Sequence, residues 1–92
     1  MKFSTKIQDN KIIIENKSGK PLLIKELRII VETTVITPEE RFAVRKLSDE
    51  MRLYTTLMPN SSIEVMTYYT NVVGVSIIYE EDGQLLREDH EL

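Results

Sequence analysis

Apolar side chains recur at every second position along most of this chain, and Gly, Pro, Asn and Asp break the rhythm at short intervals. A period of two is the repeat of a half-buried β-strand, whose side chains alternate between two faces, and it does not fit an amphipathic helix. In FSTKI, residues Phe3, Thr5 and Ile7 fall on one face, with Lys2, Ser4, Lys6 and Gln8 on the other. Asp9-Asn10 turns the chain into KIIIE, where Ile12 and Ile14 share a face and Ile13 opposes them, so the two segments predict a hairpin. In NKSGKP, residues Asn16, Ser18 and Gly19 carry turn chemistry, and Pro21 opens the next strand where no N–H donor is needed.

The strand that follows runs from Leu22 to about Ile36, and its inward face changes parity. Leu22 and Ile24 lie on one side, whereas Leu27, Ile29, Val31 and Val35 lie on the other, so a bulge or bend is expected near Lys25-Glu26. Such a bend would let the strand pass between two sheets. The segment TPEERFAVRKL departs from the two-residue period: Thr37, Pro38 and Glu40 fit a capping box with proline in the first helical position, which predicts a short helix from Pro38 to Leu47. The competing reading is a strand with Phe42 and Val44 inward.

Beyond it, Leu53, Thr55 and Leu57 alternate, PNSS turns, and Ile63, Val65, Thr67 and Tyr69 share a face. NVVGVSIIYE is apolar almost throughout, as a central strand is, and Asp82-Gly83 marks a hairpin into QLLRE. Six to seven strands with one short helix predict an all-β fold, an antiparallel Ig-like β-sandwich or a small barrel.

A chain of 92 residues with 41% hydrophobic content has room for one domain, expected over residues 1–87, with 88–92 as an acidic, flexible C-terminal tail. No cysteine is present, so packing rather than disulfides must hold the fold. MKFSTKIQDNK lacks the apolar stretch of a secretory leader and no window reaches the length of a membrane span, which points to the cytoplasm. Charge is uneven: residues 1–46 hold 10 Lys/Arg against 6 Asp/Glu, or +4, and residues 47–92 hold 2 against 9, or −7. In a small sandwich the two halves interleave, so most of this charge is expected on an ordinary solvated surface.

Three pieces, NKSGKPLLIKELRI, LMPNSSIEV and VVGVSIIYEEDGQLL, resemble the immunoglobulin-like β-sandwiches of archaeal pilin and flagellin head domains. The resemblance covers about two thirds of the chain and consists of turn-and-strand grammar, so it implies a fold and not a function. Asn60 stands where that pattern has glycine, and the hydrophobic N-terminal helix that assembles pilins has no counterpart.

No segment carries the pattern of an enzyme. The single histidine, His90, sits among Glu88, Asp89 and Glu91 near the end of the chain, and three glycines form no phosphate-binding loop. Neither a metal nor another cofactor is expected. A protein partner fits better, with Tyr54, Met66, Tyr68 and Tyr69 as candidate contacts, because tyrosine joins apolar area to a polar tip. Lys17, Lys20, Arg41, Arg45 and Lys46 form a candidate basic patch for weak or indirect contact with nucleic acid. The acidic Glu88, Asp89 and Glu91 are expected to steer a basic partner. The sequence therefore reads as a non-enzymatic interaction module, a small accessory subunit of an intracellular complex, with a homodimer through an edge strand also open to it. Two alternatives are an accessory factor of a DNA replication or repair complex and an extracellular or filament-associated Ig-like module.

Overall fold

The computed structural model describes residues 1–39 and 41–92. The alternating segments become seven strands: β1 (Phe3–Gln8), β2 (Lys11–Asn16), β3 (Leu22–Ile36), β4 (Phe42–Leu57), β5 (Ser62–Met66), β6 (Val72–Glu81) and β7 (Gln84–Glu91). They form two antiparallel sheets, one of three strands ordered β1-β2-β5 and one of four ordered β4-β3-β6-β7. The tight turns use the expected residues. Asp82 and Gly83 both take positive φ, 52° and 78°, as the two-residue turn between β6 and β7 requires, and Asp9 does so between β1 and β2. Asn60 adopts a φ of 62°, a conformation that asparagine tolerates better than most side chains.

The inward faces of both sheets enclose one core. Phe3, Ile12, Ile14 and Val65 from the three-stranded sheet meet Leu22, Ile24, Leu27, Ile29, Val75, Ile77 and Tyr79 from the four-stranded one. Burying each such side chain contributes about 1.5–3 kcal/mol. Phe3 and Tyr79 join the layers edge to face, with ring centroids 5.0 Å apart at 81°.

The parity change in β3 is resolved by a bulge at Lys25. The ladder to β6 skips from Ile24–Tyr79 to Glu26–Ile78, and the ladder to β4 skips from Ile24–Thr55 to Glu26–Arg52. Leu22 and Ile24 before the bulge and Leu27 and Ile29 after it are all buried, so the extra residue keeps one face inward while β3 stays in a single sheet. A second shift, at Val73, lies next to Gly74. There a Cβ would stand 2.9 Å from the main-chain oxygen of His90, so only glycine lets β6 and β7 approach this closely.

Asn16 joins the connections between the sheets. It is fully buried, and its Nδ2 donates to the carbonyls of Lys20 (2.8 Å) and Leu57 (2.7 Å). Its Oδ1 accepts from the Ser18 N–H (2.9 Å) and hydroxyl (2.7 Å). Its main chain donates to Ser61 O and accepts from Asn60 N.

Two expectations are corrected. Within the segment expected as a helix from Pro38 to Leu47, Pro38 and Glu39 lie in a turn and residues 42–47 begin β4, with Phe42 opposite Ile36. The Thr37 hydroxyl does accept a hydrogen bond, from Arg41 N (3.2 Å), but Thr37 N also donates to Arg41 O (2.8 Å), which closes the chain back on itself. Glu40, the other member of the expected capping box, lies outside the described residues. The competing strand has the right conformation and the wrong orientation, because Phe42 and Val44 are exposed. The second correction concerns residues 88–92. Glu88, Asp89 and Glu91 belong to β7, paired with Ile77, Ser76 and Gly74, and Leu92 N donates to Val73 O (3.0 Å). Glu88 is the reason a polar segment holds its place: its carboxylate accepts from Lys2 N (2.6 Å) and lies 2.9 Å from His90 Nε2.

Asn16→Ala is expected to destabilise the protein by about 2–4 kcal/mol in urea denaturation, because the buried Leu57 carbonyl loses its side-chain donor and the turn at Ser18 and Lys20 loses its anchor. Asn16→Asp, equal in size but without the donors, has a comparable effect. Truncation after Arg87 lowers the melting temperature by about 5 °C or more, since β6 loses half its partner strand.

Candidate functional site

β3 pairs with β6 only as far as Val31, yet it continues to Ile36. Beyond that point, among the described residues, the one strand it pairs with is β4, through Glu32–Lys46, Thr33–Arg45, Thr34–Val44, Val35–Ala43 and Ile36–Phe42. The result is a two-stranded arm that leaves the layered body and elongates the molecule, which measures 51 Å along its long axis against 28 and 20 Å along the others. Alternation assigns Glu32, Thr34 and Ile36 to the outer face, together with Lys46, Val44 and Phe42 opposite them. Phe42 is 78% exposed, Ile36 70% and Val44 67%, so the apolar side chains of this face have no core beneath them. A two-stranded ribbon alone is marginal in water, and an uncovered apolar stripe is the usual mark of a contact surface.

At the root of the arm the inward face meets the connection between β5 and β6. Val31, Thr33, Leu47, Tyr69 and Asn71 line a shallow hollow of about 280 Å³. Tyr69 donates its hydroxyl to Asp49 (3.0 Å), and the carboxylate raises the phenol above its ordinary pKa. Glu32 N donates to Asn71 O (3.0 Å), a main-chain tie between arm and body.

The expected contact residues separate into two groups. Met66, Tyr68 and Tyr69 gather at and beyond the end of β5, with Tyr68 almost wholly exposed. Tyr54 lies on β4 at the Lys25 bulge, exposed, with a φ of 50° that an aromatic residue rarely adopts. It lines a hollow of about 230 Å³ with Lys25, Glu26, Arg52, Ile78 and Leu85.

The five basic residues do not form one patch. Lys17 and Lys20 precede β3 and Arg41 follows it, and a strand of 15 residues spans about 45–50 Å. Lys17 pairs with Glu15 (2.8 Å), and Lys20 with Glu81 (2.7 Å) and Asp82 (3.2 Å). Arg41, Arg45 and Lys46 are on the arm, Arg45 and Lys46 on opposite faces. Among the acidic residues, Glu88 is turned to the N-terminal main chain, and Asp89 binds Ser76 Oγ (2.6 Å) and Arg87 Nε (2.8 Å), contacts that hold its carboxyl below the usual range. Glu91 is exposed at the end of β7. Among the described residues, no three His, Asp or Glu side chains converge as metal ligands, and no helix is long and apolar enough to cross a membrane.

Comparison with protein-family models, curated proteins and solved structures returned no match. Ile36, Phe42, Val44 and Leu47 are the residues that the sequence reading did not single out for contact. Their signal was strand length: β3 and β4, at 15 and 16 residues, exceed the 5–10 of β1, β2, β5, β6 and β7 and must outrun the body.

Hydrogen bonds from Lys2 and then Lys20 hold the Glu81 carboxyl below its ordinary pKa. A depressed carboxyl stabilises the fold fully above the usual carboxylate range and loses that contribution as pH falls through the folded pKa. The melting temperature of Glu81→Gln is therefore expected to lie below that of the wild type at neutral pH and to converge with it in acid.

Proposed function

We propose that this chain is a non-enzymatic protein-interaction module, a small accessory subunit of a larger cytoplasmic assembly, built on an Ig-like β-sandwich. The arm carries this reading: Ile36, Phe42 and Val44 stand exposed on one face of a ribbon that the body does not support. An apolar partner surface that covers them removes their area from water and stiffens the ribbon in the same step. Aromatic side chains such as Phe42 bring large buried area for few rotatable bonds, which suits them as anchors. The distribution of cations favours a protein over a phosphate backbone, because the arm sets its cations beside the acidic residues Glu32 and Glu39.

The test places a photoreactive phenylalanine analogue at position 42 or, as a control, at Ile7 on β1. The expected result is an adduct with a second, different protein from position 42 and none from position 7, separate from any adduct between two copies of this chain. Phe42→Ser combined with Ile36→Ser is expected to abolish capture of that protein while the melting temperature changes by no more than about 2–3 °C, as for exposed positions. Equal capture by the wild type and the double variant would remove the arm from the interface.

A further inference from the structure

Four strands end a sheet: β1 and β5 in one, β4 and β7 in the other. An edge strand presents unpaired N–H and C=O groups and tends to recruit another strand unless charge or brevity prevents it. β7 carries Glu88, Asp89 and Glu91 against one Arg87, so two copies of it repel. β1 carries only basic charge, at Lys6, and β5 is five residues long. β4 differs. Its 16 residues contain Arg45-Lys46-Leu47-Ser48-Asp49-Glu50, a basic pair and an acidic pair about a neutral centre, so the strand is complementary to itself when reversed.

We infer that β4 is a dimerisation edge, at which two copies pair β4 antiparallel to β4 about a two-fold axis through Ser48. Parity limits the choice of register, since a two-fold axis normal to the sheet sets side chains of the same face opposite one another. With the axis at Ser48, Lys46 of each copy faces Glu50 of the other, Val44 faces Arg52, and Phe42 reaches Tyr54. With the axis at Leu47, Arg45 would face Asp49, but Asp49 already holds the Tyr69 hydroxyl at 3.0 Å, and Phe42 would face Arg52. Glu50 is freer: its one ion-pair neighbour among the described residues, Arg28, lies 3.6 Å away.

This pairing accounts for two observations that the isolated chain leaves open. The arm half of β4 gains a strand on its open side, from the body half of the other copy, so each two-stranded ribbon becomes three-stranded. Tyr54, held in a costly left-handed conformation beside the hollow formed with Ile78 and Leu85, acquires an occupant for that hollow in Phe42 of the second copy. The two four-stranded sheets become one sheet of eight strands. The outer apolar face of each arm then continues onto the other copy, and a further protein meets a surface contributed by both. The dimer does not depend on that further protein.

Sedimentation equilibrium of the full chain is expected to show a reversible dimer. Lys46→Glu and Glu50→Lys are each expected to weaken self-association about tenfold or more, because like charges then face each other twice per dimer. An equimolar mixture of the two variants restores it, since each copy brings the sign the other lacks. That rescue also shows that both variants fold. A wild type that stays monomeric overturns the inference and leaves the adduct formed by position 42 with another protein untouched. Dimers indifferent to both substitutions overturn the β4 edge. Rescue confined to Arg45→Glu mixed with Asp49→Arg overturns the axis at Ser48.

Discussion

The relation between the two sheets depends on one buried carboxamide. Asn16 ends β2 and hydrogen-bonds both the link that carries the chain to β3 and the residues through which β4 returns to β5. An amide has two donor hydrogens and an oxygen able to accept twice, and all four positions are used. Burial makes that completeness necessary, because an unpaired polar group in the interior costs more than its hydrogen bond returns. The same side chain therefore holds the start of β3 and the end of β4 at the end of β2. Most of the core packing presupposes that alignment.

Charge is organised by the same interleaving. The basic first half and acidic second half meet in ion pairs around the turn between β6 and β7, where Lys2 and Lys20 reach Glu81 and Lys25 reaches Glu80. The opposition of +4 and −7 along the chain thus becomes local neutralisation at one end of the body. The more exposed of these pairs, Lys25 with Glu80, adds little to stability by itself. The basic pair Arg45-Lys46 and the acidic pair Asp49-Glu50 on the β4 edge take no part in that cluster.

The strands were legible in the sequence because period two is a property of the strand itself. Even the bulge at Lys25 could be read, since the parity of Leu22 and Ile24 conflicts with that of Leu27 and Ile29. What escaped were outcomes decided by partners remote in sequence. Thr37-Pro38 carries local helix grammar, but the pairing of Ile36 with Phe42 and of Val35 with Ala43 outweighed it. Residues 88–91 look too polar to be ordered, yet the inward carboxylate of Glu88 finds main-chain N–H groups more than 80 residues away in the chain. Tyr54, Met66, Tyr68 and Tyr69 could be named as candidate contacts from their side-chain chemistry, whereas their separation into two places follows from topology alone. The arm was hidden for a similar reason, because alternation reports that a residue faces one side and not whether a second layer lies there.

β3 contains neither glycine nor proline between Leu22 and Ile36, and it runs without interruption from the centre of the core to the tip of the arm. It behaves as a cantilever clamped at Leu27 and Ile29, with no hinge at the point where it leaves the body. A lateral load on Ile36 or Phe42 is borne as bending across Val31 and as shear on the β3–β6 ladder. Any partner that seizes the tip consequently pulls on the packing of the core itself, so grip and fold stability are mechanically one property.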